Sequence, residues 1–165
     1  MKDALITILV ALALVIIIQK FMGTSFDPPG LGQNGTQLWG DVTIPKNTSV
    51  FSPNRKYRVV IQSDGNFVLY NSENQAKWAS GTNATFVTDA KLRIDNRGVL
   101  HVLRGALFAG LQEKWSSQKG SDSCPCRLQV LDSGLVIVLD KNKQIVWSAP
   151  RAPSNDEKEF IAKNL

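Results

Sequence analysis

Gln62-Ser63-Asp64-Gly65-Asn66-Phe67-Val68-Leu69-Tyr70 is the stretch that decides the fold of this chain. An Asp-Gly pair stands between two runs of alternating apolar residues, which predicts a tight turn joining two antiparallel strands. Successive side chains of a strand point to opposite faces. Asn66, Val68 and Tyr70 therefore share one face, and the turn brings Gln62 and Asp64 close to them. The sequence predicts a β-hairpin that gathers five selected side chains on one surface.

The chemistry of these five side chains suits a ligand with many hydroxyl groups. A sugar presents neighbouring hydroxyls, each a donor and an acceptor, together with small apolar C–H patches. An ionised Asp accepts hydroxyl hydrogens, Asn and Gln donate and accept, Tyr does either, and Val supplies an apolar wall. The set holds no nucleophile paired with a base, which favours binding over catalysis. A plain polar outer face of an antiparallel strand would show the same alternation, so the spacing alone leaves both interpretations open.

Three tryptophans divide the rest of the chain into similar units. Trp78, Trp115 and Trp147 recur at spacings of 37 and 32 residues, and each is followed by small residues. Each is also preceded by a turn between two apolar runs, at Asp64-Gly65, at residues 95–98 and at residues 132–134. We name these units the first, second and third repeats. Repetition of one supersecondary unit predicts pseudo-threefold packing, with the large tryptophan side chains in a shared core.

The first repeat resembles a known family, the bulb-type (monocot) mannose-binding lectins. Its residues match the Gln-x-Asp-x-Asn-x-Val-x-Tyr motif of that family at Gln62, Asp64, Asn66, Val68 and Tyr70. Similar residues surround the motif at Phe51-Ser52-Pro53-Asn54, Tyr57 and Trp78-Ala79-Ser80. The resemblance covers about residues 36 to 150. It implies an all-β fold, the β-prism II of three pseudo-symmetric four-stranded antiparallel units, with a mannose pocket in each unit that keeps the motif.

The resemblance also implies roles for the motif residues: Gln62, Asp64, Asn66 and Tyr70 hydrogen-bond the mannose hydroxyls, and Val68 packs on the sugar ring. The other two repeats do not keep the motif. Residues 92–102 place no Gln, Asn and Tyr together in either of two plausible registers. Alignment of the third repeat through Trp147 puts these residues at the five motif positions: Leu131, Ser133, Leu135, Ile137 and Leu139. Because this face is apolar, we expect it to be buried, either against a partner or against another part of this chain.

The N-terminus, residues 1–22, is a different kind of segment. Residues 4 to 18 are apolar apart from Thr7, a run that as a helix spans roughly 22 Å against about 30 Å of bilayer hydrocarbon. The sequence predicts a hydrophobic helix before the β domain. It is either a signal-like segment or a retained single-pass membrane anchor over residues 4–19, with the side of the membrane left open.

The remaining boundaries follow from composition. Residues 23–37 are rich in Pro and Gly and form a linker, residues 38–150 form the β domain, and residues 151–165 form a tail. Ser154 is a helix-capping residue, which predicts a short helix from Asn155 to Lys163. Phe160, Ile161 and Leu165 would give that helix a small apolar face suited to docking.

Composition excludes several function classes. The net charge of +5 is a mild bias toward anionic partners, but no nucleic-acid motif accompanies it, so nucleic acid is not an expected partner. The single histidine, His101, and the isolated Cys124-Pro125-Cys126 predict neither a metal site nor a cofactor. Two cysteines separated by one residue rarely reach disulfide geometry, so we interpret Cys124 and Cys126 as loop thiols. Nothing indicates an enzyme.

Two classes of function remain. The first is a membrane-anchored lectin domain that binds mannose or a mannose-containing glycan through the one intact motif. The second is a non-catalytic scaffold with a lectin-like fold in a membrane-associated assembly, such as a minor capsid protein of a membrane-containing virion or a subunit of an organellar complex. In that case the apolar third repeat and the C-terminal tail would contact protein partners.

Overall fold

Twelve strands and one helix make up the part of the chain that the computed structural model describes, which is Gly32 and residues 35–165. The strands are β1 (Gln37–Trp39), β2 (Val42–Pro45), β3 (Ser49–Phe51), β4 (Tyr57–Ile61), β5 (Phe67–Asn71), β6 (Ala76–Ala79), β7 (Val87–Ile94), β8 (Leu100–Ala106), β9 (Ala109–Ser116), β10 (Arg127–Val130), β11 (Val136–Leu139) and β12 (Ile145–Ala149). The helix, α1, is Asn155–Asn164. The hydrophobic helix predicted in residues 1–22 lies outside the described residues. Within the described residues, no helix is long and apolar enough to cross a bilayer.

Each repeat forms an antiparallel sheet of four strands. The strand orders are β3-β4-β5-β6 for the first repeat, β2-β7-β8-β9 for the second and β1-β10-β11-β12 for the third. The last three strands of every sheet follow one another in the chain, as the repeat pattern predicts. The first strand of every sheet comes from residues 37–51, so this short segment contributes one strand to each of the three sheets. The predicted all-β fold of three antiparallel four-stranded units is confirmed.

The three repeat tryptophans contact one another, and each is half-buried and packs against the main hydrophobic core. The ring centroids of Trp78, Trp115 and Trp147 lie 5.6–5.7 Å from one another, with interplanar angles of 67–73°. These are edge-to-face contacts, the geometry that aromatic pairs favour because the electropositive ring edge meets the electronegative ring face. The prediction that the tryptophans share one core is therefore confirmed.

The hairpin turns lock each repeat against the next. Gly65 has a φ of +83°, a left-handed conformation that a residue without a Cβ adopts without steric cost. A Cβ at Gly65 would lie 2.6 Å from Cδ of Arg104 in the second repeat. At the corresponding turn of the third repeat, a Cβ at Gly134 would lie 2.6 Å from the ring of Tyr57 in the first repeat. Close approach between repeats therefore requires glycine at both turns.

The interpretation of Cys124 and Cys126 as loop thiols is wrong, because the two residues form a disulfide. Their Cα atoms lie 4.5 Å apart, within the range of disulfide geometry. The loop before β10 folds back over a single residue, which the one-residue spacing does not predict. Cys126 is fully buried and belongs to the main hydrophobic core.

The tryptophan cluster gives a stability prediction. Trp147→Ala should lower the free energy of unfolding by about 3–5 kcal/mol, because it removes a large side chain and leaves a cavity between the two remaining rings. Urea denaturation followed by circular dichroism measures the change. Trp39→Ala is the control, since Trp39 is 38% exposed and lies outside the cluster. Equal losses in the two variants would contradict a stabilising role for the cluster.

Candidate functional site

The first repeat brings the five predicted residues together around the turn between β4 and β5. The turn is closed by two backbone hydrogen bonds: Gln62 N–H donates to Asn66 O at 2.8 Å, and Gly65 N–H donates to Gln62 O at 3.0 Å. On the outer face of the sheet, Val68 lies beside Val60 of the neighbouring strand. Val68, which the sequence predicts as the apolar surface of the site, is only 2% exposed. It therefore lies at the bottom of the site and presents little surface.

Hydrogen bonds within the motif hold its polar side chains in place. Gln62 Nε2 donates to the Tyr70 hydroxyl oxygen at 3.1 Å, and one Asp64 carboxylate oxygen accepts from Asn66 N–H at 3.0 Å. Asn66 Oδ1 accepts from Ser80 Oγ at 3.1 Å and from Thr82 N–H at 3.2 Å. The motif residues are thus oriented before any ligand arrives.

Several hydrogen-bond donors and acceptors of the motif remain available to a ligand. Among the described residues, no hydrogen bond is made to the second carboxylate oxygen of Asp64, the amide nitrogen of Asn66 or the side-chain oxygen of Gln62. The Tyr70 hydroxyl accepts from Gln62 and keeps its own hydrogen to donate. Two acceptors and two donors therefore line one half-buried face, which is the pattern that vicinal hydroxyls require.

Three residues that support the site, Thr82, Ala84 and Arg104, were missed in the sequence. Thr82 donates its hydroxyl hydrogen to Gly65 O at 2.6 Å, and Arg104 Nη1 of the second repeat donates to Thr82 O at 2.5 Å. Ala84 N–H further donates to Asp64 O at 3.0 Å. These residues lie outside the motif and Arg104 is 40 positions from Asp64, so no local pattern identifies them.

One more cation lies beside the motif. The guanidinium carbon of Arg58 is 4.9 Å from the centroid of the Tyr70 ring, and Arg58 Nη2 donates to Asn74 Oδ1 at 3.2 Å. Cross-strand pairing of Arg58 with Tyr70 produces this stacking. It restricts the position of the phenol ring.

Known proteins resemble this domain in sequence and in structure. A B-type lectin of Scorpaena plumieri, plumieribetin, is 28% identical over 109 residues, which are 66% of this chain and 88% of that protein. A monomeric monocot mannose-binding lectin of Gastrodia elata superposes with a TM-score of 0.60 at 23% identity, covering 72% of this chain and 99% of that one. Snowdrop (Galanthus nivalis) mannose-specific agglutinin, solved with methyl-α-D-mannoside, gives a TM-score of 0.54 at 17% identity, with coverage of 72% and 99%. No protein-family model matches the chain.

The chain has the fold of the bulb-type mannose-binding lectins. Within this bulb-lectin fold, the hairpin turns of the three repeats share one hydrogen-bonding pattern. Asp95 and Val99 form the turn bond of the second repeat, and Leu131 and Leu135 form that of the third, as Gln62 and Asn66 do in the first. The five motif positions of the second repeat are therefore Asp95, Arg97, Val99, His101 and Leu103. Those of the third are Leu131, Ser133, Leu135, Ile137 and Leu139, as the sequence alignment predicts.

In the second repeat, charged side chains bind one another at the motif positions. His101 lies between two carboxylates, with Nδ1 2.5 Å from Glu113 Oε2 and Nε2 3.2 Å from Asp95 Oδ2. Burial raises the pKa of the Asp95 carboxyl, but hydrogen bonds from Val99 N–H, His101 and Arg97 N–H outweigh burial, and the pKa lies below its ordinary value. The polar groups that a sugar would need are used within the protein.

The C-terminal helix covers the third-repeat position. Ile161 of α1 is 1% exposed and packs in one cluster with the four apolar motif positions of that repeat, Leu131, Leu135, Ile137 and Leu139. The fifth position, Ser133, donates to Glu157 of α1 at 2.7 Å. Of the two alternatives for this face, burial against another part of this chain is confirmed. The expectation that the third-repeat motif positions contact a protein partner is corrected, because the chain's own helix occupies them.

Local interactions explain why α1 forms and docks. Ser154 accepts from Glu157 N–H at 3.2 Å, and Glu157 Oε2 accepts from Ser154 N–H at 2.8 Å, which together make a capping box. Arg151 forms two hydrogen bonds to the same Glu157 carboxylate, at 2.7 and 2.9 Å. The helix runs to Asn164, one residue beyond the predicted end.

The Glu157 carboxyl gives a pH prediction. Hydrogen bonds from Arg151 are the main cause that lowers its pKa from 4.5 to about 2. Burial acts in the opposite direction, and smaller contributions from hydrogen bonds of Ser133 and Ser154 N–H add to the lowering. Because the folded pKa is depressed, the stabilisation is complete above the unfolded value of 4.5 and is lost as the pH falls through about 2. Melting temperatures measured between these pH values should fall more steeply for the parent than for Glu157→Gln. Glu159→Gln, at an exposed residue of the same helix, is the control and should show the same dependence of melting temperature on pH as the parent. An equal dependence in the parent and in Glu157→Gln would contradict the role assigned to Glu157.

Proposed function

We propose that this domain is a carbohydrate-binding lectin domain that takes mannose or a mannose-containing glycan at one site, the first-repeat hairpin. One observation carries the proposal: Gln62, Asp64, Asn66 and Tyr70 are held by the protein while an acceptor or donor group of each stays available. Structures with the same fold support the class of ligand. The snowdrop agglutinin was solved with methyl-α-D-mannoside, and a Polygonatum cyrtonema lectin, 22% identical, was solved with a monomannoside.

The stoichiometry of the proposal follows from the other two positions. In the second repeat the carboxylates of Asp95 and Glu113 are bound to His101. In the third, Ile161 lies over four apolar side chains. A sugar hydroxyl that entered either position would displace an internal contact without finding a free polar partner. We therefore propose one mannose per chain and the weak affinity typical of a single shallow polar contact surface.

The Asp64 carboxylate provides the test. A hydrogen bond to a charged group contributes about 1.5–3 kcal/mol, so Asp64→Asn should weaken mannose binding by roughly tenfold or more. The amide oxygen of Asn still accepts from Asn66 N–H, which leaves the turn intact. Tyr70→Phe should cost less, because it removes a neutral donor. Calorimetric titration of mannose at millimolar concentration, alongside a melting curve for each variant, measures both effects.

A matched control is Asp122→Asn. This variant also removes one carboxylate charge, but the Asp122 side chain is 93% exposed and pairs with Arg97 of the second repeat. It should bind mannose as the parent does. A flat titration of the folded parent protein would reject the lectin proposal.

A scaffold is the second candidate function, and one observation favours it. In the second and third repeats, the motif positions make contacts within the domain itself. Most of the surface that binds sugar in this fold therefore serves internal packing. In this alternative the domain is a non-catalytic spacer in a membrane-associated assembly such as a membrane-containing virion or an organellar complex. Absence of mannose binding in a folded parent, with assembly lost on changing Asp64 or Tyr70, would favour it over the lectin.

Both candidates place the domain at a membrane through residues 4–19, a segment outside the described residues. If this segment is a single-pass anchor, the full chain should sediment with membranes and resist extraction by alkaline carbonate. Replacing two of its residues with charge, as in Leu12→Lys together with Val15→Lys, should release the chain, because charged side chains are costly in hydrocarbon. Recovery of the parent chain in the soluble fraction with its N-terminus intact would reject the anchor.

A further inference from the structure

A cluster of exposed apolar side chains marks one end of the second-repeat sheet. We name it the apolar tip, and its members are Phe86, Leu107, Phe108 and Leu111. Phe108 is 100% exposed and Phe86 is 88% exposed. Across the described part of the chain, only Trp39 and Phe160 are other large hydrophobic residues exposed to a comparable degree. Soluble proteins scatter such residues singly, whereas a cluster indicates an interaction surface.

Strand pairing brings the members of the apolar tip together. Val87 pairs with Ala106, and Ala106 pairs with Ala109. Phe86, which precedes Val87, is therefore level with the two-residue turn formed by Leu107 and Phe108. The tip is the end of a hairpin whose flanking residues are already paired.

The backbone at the tip supports a role for the side chains themselves. Phe86 has a φ of 61° and Phe108 a φ of 67°, both in the left-handed region. Glycine and asparagine adopt this conformation most readily, and a bulky residue there is uncommon. Such outliers concentrate at functional positions. The chain keeps two aromatic side chains where smaller residues would be less strained, and both are exposed.

Cations lie directly behind the apolar tip. Lys46 Nζ donates to Thr88 O at 3.3 Å, two residues after Phe86. Lys91 of β7 and Arg104 of β8 follow further along the same sheet. The carboxylates there are Asp89, paired with Lys91 at 3.3 Å, and Glu113, which is level with Lys91 across β8. These three cations outnumber the two carboxylates, which leaves the region with a small positive excess. Apolar side chains in front of amines are the pattern of segments that lie in a membrane interface.

We propose that the apolar tip inserts into the surface of a lipid bilayer with anionic headgroups. A projecting hairpin end suits a soft interface, because its strand pairing satisfies most backbone groups before they leave water. The cations behind it meet anionic headgroups, which attract basic residues near the surface.

The apolar tip is continuous with the mannose site. Ala84, which donates to the Asp64 carbonyl, lies two residues before Phe86, and Arg104 holds Thr82 of the same loop. Insertion of the tip would place the first-repeat hairpin beside the membrane surface. The ligand class is then a mannose-bearing headgroup or glycan displayed on that surface. This last step rests on the proposed function, whereas insertion of the tip does not.

Position-specific fluorescence on the full chain tests the insertion. The two native cysteines form a disulfide, so Leu107→Cys and, as the control, Phe160→Cys each supply one thiol for an environment-sensitive label. The labelled chains are reconstituted into vesicles of phosphatidylcholine and phosphatidylglycerol, some of which contain doxyl-labelled lipid. The label at position 107 should shift to the blue and be quenched by the doxyl lipid, and the label at 160 should do neither. The N-terminal segment is the same in both chains, so it cannot produce the difference.

Two further arms make the outcome decisive. Adding Phe86→Ser and Phe108→Ser to Leu107→Cys should abolish the quenching, and phosphatidylcholine alone should reduce it. Equal quenching at positions 107 and 160 would overturn the proposal. So would shielding of the label at 107 from iodide without lipid, which would instead indicate contact with a second copy. Titration of soluble mannose into the parent and into the Phe86→Ser, Phe108→Ser chain separates the two proposals. If the lectin proposal is wrong, neither protein binds mannose. If only the insertion proposal is wrong, both proteins bind mannose, but the label at position 107 is not quenched.

Discussion

The edge-to-face packing of three tryptophans is the constraint on which the rest of the domain depends. Trp78, Trp115 and Trp147 each lie on the last strand of a repeat, so mutual contact at 5.6–5.7 Å forces three sheets to converge on one point. Convergence turns one face of every sheet inward. The opposite faces point outward and carry the hairpin positions that correspond to the mannose motif. One aromatic contact thereby creates three equivalent surfaces.

The three surfaces share a backbone but differ in what satisfies their side chains. In the first repeat, internal hydrogen bonds orient the polar groups without using all of them. In the second, a histidine between two carboxylates uses them within the protein. In the third, apolar replacements remove the need for hydrogen bonds and require burial, which Ile161 of α1 provides. Five side chains in each repeat therefore decide whether the same backbone carries available polar groups, an ionic cluster or a surface on which a helix docks.

The first-repeat site depends on neighbours as much as on its motif. Arg104 of the second repeat packs against Gly65 and binds Thr82, so the turn that positions Asp64 is held from the adjacent sheet. The loop that contains Thr82 ends at Phe86. The proposed mannose site and the apolar tip are consequently two parts of one surface, and a change in the loop would affect both.

The sequence by itself determined the hairpins, the repeat and the content of the motif positions. Local rules suffice for these features: period-two alternation defines a strand face, Asp-Gly defines a turn, and Ser154 with Glu157 defines a helix start. The same rules distinguish the polar first motif from the apolar third one, and they predict that the third is buried.

Only the tertiary structure decided what lies against each surface. The distribution of β1, β2 and β3 over three sheets, the docking of α1 on the third repeat, and the support of Thr82 by Arg104 all join residues far apart in the chain. The Cys124–Cys126 disulfide depends in turn on how one loop folds back. Such contacts form because the tryptophan core fixes the sheets relative to one another, and a one-dimensional pattern carries no record of that geometry.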